Sequence, residues 1–195
     1  MHEACPRLTA VFLDRDGVIN EKAPEGQYVT SWDAFRFLPG ALEALRRLAQ
    51  SPVRIFVVTN QRGIARGLMT EDDLAAIHGR MVEAIESAGG RIDAIYHCPH
   101  AGACDCRKPA PGMLQVAERQ FSDVRLHESV VVGDRVHDME AAAAVGALGV
   151  YVRGFDEPEP EVVYVANDLR EAVSWLTDTA AQTSPPRAGS LHEDR

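Results

Sequence analysis

The sequence predicts an α/β protein in which helices cover both faces of a parallel β-sheet. Short apolar runs alternate with helix-like segments along the chain, which is typical of this architecture. Several of the apolar runs end in polar or acidic residues, and open α/β sheets bind their ligands at such strand ends. The chain has 195 residues, 46% of them hydrophobic, so it is long enough for one domain with a substantial core.

The apolar runs and the segments between them give the predicted elements. Strands are expected at residues 10–13, 54–58, 94–98, 129–132 and 148–152. Helices are expected at residues 41–49, 71–88, 113–120, 138–145 and 168–176.

Local signals fix some of the helix ends and the end of the domain. In the first helix, leucines recur at helical spacing. Thr70 is a suitable N-cap for the second helix, with Asp73 as its capping partner, and Gly89 can end that helix. The composition becomes polar and proline-containing near the C-terminus. We therefore predict one domain over residues 1–178 and a disordered tail over 179–195.

Two aspartates follow the first predicted strand and are the most informative feature of the sequence. Asp14 and Asp16 are two residues apart in an extended segment, so their side chains point the same way. They can share one metal ion and one phosphate group, and Mg²⁺ is the hard cation suited to that task. The alternative is an aspartate-rich turn that caps a helix. The buried strand before the pair favours the functional interpretation.

Three further polar groups stand at or near the ends of apolar runs. Thr59 follows the second strand, and its hydroxyl can bind a phosphate oxygen. Lys108 offers an ammonium that can hold a nucleophile and a phosphoryl group together. Asp134 and Asp138 stand in an acidic turn that follows the fourth strand. Taken singly, Thr59 suits an ordinary turn, Lys108 a solvated surface, and Asp138 the first turn of a helix.

A short segment between the third strand and Lys108 contains three cysteines and a histidine. Two closely spaced pairs supply four soft or borderline ligands, which is the number needed for a closed tetrahedral zinc site. Such a site has no open position, so its role would be structural. Buried reduced cysteines are the alternative. The predicted zinc ligands are Cys98, His100, Cys104 and Cys106.

Charge and hydropathy exclude several classes of partner. The net charge of −9 argues against binding to nucleic acid or to an anionic membrane surface. No apolar run approaches the length of about 20 residues that a membrane span needs, and the first residues carry no apolar signal core. We therefore expect a cytoplasmic protein, and we expect it to be a monomer.

The four strand-end motifs, in this order, resemble those of the haloacid dehalogenase (HAD) superfamily of phosphotransferases. The resemblance implies a Rossmann-like three-layer fold and a Mg²⁺-dependent reaction. It implies that Asp14 is the nucleophile, that Asp16 is the general acid and base, and that Thr59 and Lys108 hold the phosphoryl group. It assigns Mg²⁺ to Asp14, Asp16 (through its carbonyl), Asp134 and Asp138. The short connections leave no room for a cap domain, so we expect a capless enzyme with the zinc loop as one wall of its site.

Within the superfamily, the whole chain is similar to the heptose-bisphosphate phosphatases and their histidinol-phosphatase relatives. The segments DRDGVIN, TNQ, GIARG and RKP carry this similarity, together with the cysteine loop. It implies a small phosphorylated sugar as substrate. Histidinol phosphate, a broader range of sugar phosphates, and a zinc-stabilised binding module without catalysis remain alternatives. The implied substrate-binding residues are Lys22, Ala23, Pro24, Glu25, Asn60, Gln61, Arg62, Arg107 and Arg135.

Overall fold

A six-stranded, entirely parallel sheet forms the centre of the molecule in the computed structural model. The structure describes residues 8–153 and 162–182. The strand order is β3-β2-β1-β4-β5-β6. The strands span Ala10–Leu13 (β1), Arg54–Asn60 (β2), Ala94–Cys98 (β3), Ser129–Gly133 (β4), Leu148–Val152 (β5) and Val162–Ala166 (β6).

The five predicted strands are confirmed, and the structure has a sixth strand that was not predicted. Strand β2 continues to Asn60, so Thr59 lies inside the strand rather than after it. Strand β6 pairs with β5 at one edge of the sheet. Its apolar segment is adjacent to residues 154–161, which lie outside the described residues.

Five helices connect and follow the strands in the described part of the chain. The capping box predicted at Thr70 and Asp73 is present. The last helix passes the domain boundary predicted at residue 178, and the remainder of the predicted tail, 183–195, lies outside the described residues. The helices span Ala41–Leu48 (α1), Glu71–Ser87 (α2), Gly112–Gln120 (α3), Val136–Ala143 (α4) and Leu169–Gln182 (α5).

The helices pack on both faces of the sheet and give the three-layer arrangement. Helices α1, α2 and α5 cover one face, where alternate residues such as Val11 and Leu13 of β1 are buried. Helices α3 and α4 cover the other face against Ala10 and Phe12. Because both faces are covered, the central strands are apolar along their length, as expected for a parallel sheet. Among the described residues, no helix combines the length and apolarity needed to cross a membrane.

The strand order places the predicted motifs side by side. Strand β1 lies between β2 and β4. From β1 the chain adds β2 and β3 on one side of the sheet, and it then crosses over to add β4, β5 and β6 on the other side. Such a reversal creates a crevice at the carboxyl ends of the strands. The residues at the ends of β1, β2 and β4 therefore face one another across this crevice.

Candidate active site

A cavity of about 720 Å³ opens at the carboxyl ends of β1, β2 and β4. All four predicted catalytic residues line it, and so do all nine predicted substrate-binding residues. The lining also includes Asp138, and it extends along the loop from Gly26 to Val29. The structure thus brings together residues from 14 to 138 that the sequence linked only by their order.

Lys108 lies at the centre of the buried charges in this crevice. Its Nζ donates to Asp14 Oδ1 at 2.9 Å and to the carbonyl oxygen of Val58 at 2.7 Å. It also forms an ion pair with Asp138. The Lys108 side chain is 4% exposed, and two carboxylates compensate the cost of burying its ammonium. Although burial alone would lower it, these carboxylates raise the pKa of Lys108, so the side chain is charged.

Asp14 is surrounded by other carboxylates. Burial raises the pKa of Asp14 to about 7, Lys108 opposes the rise, and the neighbouring Asp138, Asp134 and Asp16 add to it. A nucleophilic carboxylate must be ionised. The Asp14 site is therefore one in which additional positive charge favours the reactive form.

Asp16 is held by three side chains. Its two carboxylate oxygens accept hydrogen bonds from Arg15 Nη2 at 3.0 Å each. Asn20 Nδ2 donates to Oδ1 at 2.9 Å, and Gln61 Nε2 donates to Oδ2 at 2.8 Å. Although burial raises it, the pKa of Asp16 lies below its ordinary value because of the Arg15 charge and these hydrogen bonds. The carboxylate is fixed in one orientation at the mouth of the crevice.

The end of β2 supplies a second set of polar contacts. Thr59 is 1% exposed, and its hydroxyl oxygen accepts a hydrogen bond from Gln61 Nε2 at 2.9 Å. The hydroxyl of Thr59 can therefore donate its proton to an acceptor in the cavity. The Asn60 side chain bonds both the backbone N–H and the carbonyl of Lys108 at 3.1 Å. Asn60 thus bonds the backbone of Lys108, and Gln61 bonds Asp16 and Thr59, which are contacts that the sequence did not predict.

Three carboxylates form a site that fits a divalent cation. One oxygen each from Asp14, Asp134 and Asp138 lies within 4.8 Å of the others. Asp134 Oδ1 is buried without a hydrogen-bond partner among the described residues, as a metal-ligand oxygen would be. Burial raises the pKa of Asp134, and Lys22, its ion-pair partner, opposes that rise. Oxygen ligands of this kind are those that Mg²⁺ prefers.

Two glycines allow the carboxylates to approach the backbone closely. Gly17 has a φ of +96°, and a Cβ there would overlap the Asp134 carboxylate. A Cβ on Gly133 would overlap the Asp138 side chain. Larger residues at either position would therefore displace a member of the acidic cluster. This explains why glycine follows Asp16 and precedes Asp134.

The outer part of the cavity is rich in cationic side chains. Lys22, Arg62, Arg107 and Arg135 line it in addition to the buried Lys108. Arg107 is half-buried, and its Nη1 donates to the carbonyl oxygen of Ala101 at 2.8 Å. This bond ties Arg107 to the cysteine loop. The number of cations exceeds what a single phosphate needs.

The four predicted zinc ligands converge. The separations between the three Sγ atoms are 3.1–3.4 Å, and His100 Nδ1 lies 3.3 Å from the Cys106 sulfur and 3.6 Å from that of Cys98. A tetrahedral zinc ion with Zn–S bonds of about 2.3 Å holds its sulfurs about 3.8 Å apart, so the cluster is close to that geometry. The sulfurs are too far apart for disulfide bonds. Cys106 adjoins Arg107, so the loop borders the cavity.

Sequence reasoning missed part of the support for Asp16. Arg15 and Asn20 are fully buried, and His78 of α2 is almost so. Their polar side chains close around the back of the Asp16 carboxylate. A buried arginine between two aspartates is a signal that the sequence contains. The contribution of His78 depends on tertiary packing.

Comparisons with known proteins identify the relatives of this chain. Residues 105–172 match the HAD-hydrolase-like family model. The D-glycero-beta-D-manno-heptose-1,7-bisphosphate 7-phosphatase of Rhodopseudomonas palustris is 39% identical over 80% of this chain and 89% of its own. The corresponding alpha-anomer phosphatase of Mycobacterium bovis is 43% identical over 70% of this chain and 73% of its own.

A solved structure extends the similarity to the whole fold. The D,D-heptose 1,7-bisphosphate phosphatase of B. bronchiseptica, complexed with magnesium and phosphate, superposes with a TM-score of 0.80 at 36% identity. The match covers 88% of this chain and 99% of that one. The chain belongs to the heptose-1,7-bisphosphate 7-phosphatase family of HAD-like hydrolases.

Proposed function

We propose that this protein removes the 7-phosphate of D-glycero-D-manno-heptose 1,7-bisphosphate by way of a phospho-Asp14 intermediate. The observation that carries the proposal is the buried Asp14–Lys108 pair beside Asp16 and Thr59, opening into a cavity with additional cations. Family membership supports the phosphatase chemistry, and several relatives bear this name. The geometry supports the roles of the individual residues.

The first step is attack of an Asp14 oxygen on phosphorus, with loss of the sugar alkoxide. Lys108 and the Thr59 hydroxyl hold the transferring phosphoryl group through its oxygens. The negative charge of a bound phosphate opposes the lowering of the Asp16 pKa seen in the empty site, and Asp16 in its protonated form gives a proton to the leaving oxygen. The bond between phosphorus and the sugar oxygen breaks, and the products of this step are heptose 1-phosphate with a free 7-hydroxyl and an acyl phosphate on Asp14.

The second step is hydrolysis of that acyl phosphate. Asp16, now a carboxylate, takes a proton from the attacking water and so returns to its acid form. Water attacks phosphorus, and the bond to Asp14 breaks to regenerate the nucleophile. The hydrogen bonds from Arg15, Asn20 and Gln61 support the carboxylate form of Asp16 in this step.

The acidic cluster supports a Mg²⁺ requirement. Asp14, Asp134 and the Asp16 carbonyl would hold the ion, with Asp138 beside them and bonded to Lys108. When bound, the ion supplies positive charge that offsets the repulsion between carboxylates and phosphate. The Asp134 oxygen without a hydrogen-bond partner and the raised pKa of Asp14 are both consistent with a cation bound by these carboxylates. The same family includes a structure with bound magnesium and phosphate.

We also propose that the cysteine loop binds one structural Zn²⁺. The three sulfurs and the imidazole nitrogen occupy all four positions of a tetrahedron, which leaves none for substrate. The bond from Arg107 to Ala101 would then attach a substrate-binding arginine to a rigid loop. This arrangement gives the zinc loop an indirect effect on substrate recognition.

The preference for a bisphosphate rests on the outer cations. Lys108 and Thr59 serve the reacting phosphate, which leaves Arg107 and the cations across the cavity to contact the 1-phosphate. A guanidinium can bind a phosphate through two parallel hydrogen bonds. We further propose that the enzyme acts as a cytoplasmic monomer and that it needs no nucleic acid or membrane.

A kinetic panel tests the proposal. With Mg²⁺ present, kcat/KM should be highest for one of the two anomers of heptose 1,7-bisphosphate, and the product should keep its 1-phosphate. Histidinol phosphate and a simple aryl phosphate are the comparison substrates, and Asp14→Asn is the inactive control. A higher kcat/KM for histidinol phosphate than for both anomers would assign the enzyme to its histidinol relatives. If the protein hydrolyses none of these esters, the result would favour a binding module without catalysis.

A further inference from the structure

The buried arginine between the two catalytic aspartates has a contact that the proposed chemistry does not use. Arg15 is 0% exposed and points away from the cavity, as expected for the residue between two that face it. Its Nη2 reaches both oxygens of Asp16 at 3.0 Å. Its Nη1 lies 3.2 Å from His78 Nε2 on α2. The guanidinium thus bridges a catalytic carboxylate and a helix that does not line the cavity.

The contact between Arg15 and His78 fixes the state of the imidazole. A guanidinium is always a donor, so His78 must accept through an unprotonated Nε2 and carry its proton on Nδ1. Burial, and then the Arg15 charge, hold the pKa of His78 at about 3. His78 is therefore a neutral acceptor throughout the range in which a phosphatase works. Its hydrogen bond determines the rotation of the guanidinium plane.

This arrangement is costly for a residue with only a packing role. Arg15 Nε is buried without a hydrogen-bond partner among the described residues. A buried donor without a hydrogen-bond partner lowers stability. An apolar side chain of similar volume would fill the same space without this cost. The compensating contact is the one to Asp16, which belongs to the reaction.

Fixing Asp16 matters because it must reach the leaving oxygen. Small errors in the position of a reacting group lower rates by as much as about a hundredfold. Asn20 and Gln61 each bind one oxygen of Asp16, whereas Arg15 binds both. Arg15, together with Asn20 and Gln61, therefore limits rotation of the carboxylate about its own axis.

We propose that Arg15 and His78 form a positioning pair that holds the Asp16 carboxyl in line with the leaving-group oxygen. The inference rests on the proposed phosphatase function and adds two residues to it. Neither residue lines the cavity. The pair acts through the orientation of Asp16, so its loss should impair proton transfer to the leaving group more than attack by Asp14.

Two aryl phosphates of nearly equal shape distinguish this role from a general structural one. Phenyl phosphate has a poor leaving group that needs protonation, whereas 4-nitrophenyl phosphate has a good one that needs little. The value of kcat/KM reports the step in which the ester bond breaks. In His78→Leu we expect it to fall roughly tenfold for phenyl phosphate, a small part of the usual contribution of a general acid, and by no more than about twofold for 4-nitrophenyl phosphate.

Conservative and neighbouring variants complete the test. His78→Gln keeps an acceptor for Arg15 and should restore most of the lost activity on phenyl phosphate. His97→Leu is the matched control, because the ring of His97 lies beside that of His78 but its Nε2 bonds Glu71 and not Arg15. It should leave the ratio of the two kcat/KM values as in the wild type. Arg15→Lys cannot reach both partners and should shift the ratio in the same direction as His78→Leu. If His78→Leu fails to fold, the ratio measured for Arg15→Lys tests the positioning role in its place.

Equal losses on both esters in a folded His78→Leu or Arg15→Lys variant would overturn the inference. An unchanged ratio without any loss would also overturn it. Thermal unfolding of each variant establishes that the folded protein is being assayed. These outcomes differ from failure of the proposed function, in which the wild-type enzyme hydrolyses neither ester in the presence of Mg²⁺ and the positioning role falls with it.

Discussion

Replacement of Lys108 by methionine tests how the buried charges hold the site together. Lys108 Nζ contacts Asp14, Asp138 and the carbonyl oxygen of Val58, and its side chain is 4% exposed. Lys108→Met keeps much of the volume but removes the ammonium. Two carboxylates are then left facing each other in a buried crevice. We expect lower stability together with a loss of phosphatase activity.

The expected magnitude follows from the burial of the pair. Removing one partner of a buried ion pair lowers the free energy of unfolding by about 3–5 kcal/mol. The lower end applies here, because Asp14 already has a pKa of about 7 and takes up a proton readily once Lys108 is absent. A second change, Asp138→Asn, removes the charge repulsion. The double variant should regain about 1–3 kcal/mol through coupling of neighbouring sites, without regaining activity.

Urea unfolding at neutral pH, with and without Mg²⁺, measures these differences. Lys22→Met is the matched control, because Lys22 also pairs with an aspartate but is 20% exposed. Because its partner Asp134 is only 4% exposed, Lys22→Met should also lower stability, but by less than Lys108→Met, which leaves two carboxylates without their shared cation. The reasoning is refuted if Lys108→Met unfolds at the wild-type urea concentration. It is also refuted if Asp138→Asn adds to the destabilisation instead of reducing it.

Three further predictions concern zinc, pH and substrate. Purified protein should contain about one Zn²⁺ per chain by elemental analysis, and Cys104→Ser should lower both zinc content and melting temperature; zinc-free protein prepared without chelators would contradict this. His78 is neutral when folded but protonates below its ordinary pKa of 6.5 when unfolded, so stability falls with falling pH. Between pH 6.5 and 5 the wild type should lose about 1.6 kcal/mol more than His78→Gln in urea unfolding; parallel losses would contradict this. Arg107→Ala should reduce kcat/KM about tenfold more for the heptose bisphosphate than for its 7-monophosphate; equal reductions would exclude a contact with the 1-phosphate.

The sheet and its helices were largely predictable because both follow from local pattern. Buried parallel strands are continuous apolar runs, and the capping box at Thr70 is a short-range signal. Strand β6, which was not predicted, has an equally apolar segment. It follows the Glu- and Pro-rich residues 157–161, and their composition favoured a loop over a strand in this region. The end of α5 was placed early because its last residues are small and polar. Such residues give no amphipathic pattern.

The candidate site was predictable where strand ends carry the chemistry. Asp14, Thr59 and Asp134 needed only the rule that strand ends meet at one edge of the sheet. The tasks of Asn60 and Gln61 were not predictable, because their side chains bond Lys108 and Asp16 from other elements. Contacts of this kind depend on the crossing of strands and loops, and the sequence contains no local signal for them.

Trapping the phosphorylated enzyme tests the central claim most directly. Rapid mixing with ³²P-labelled substrate, followed by acid quenching and peptide mapping, should place the label on the peptide that contains Asp14. Asp16→Asn, which retains the nucleophile but lacks the base for the second step, should accumulate more label than the wild type when a good leaving group is used. Asp14→Asn should carry none. An actively turning-over enzyme that never labels at Asp14, or a label that persists in Asp14→Asn, would contradict the account.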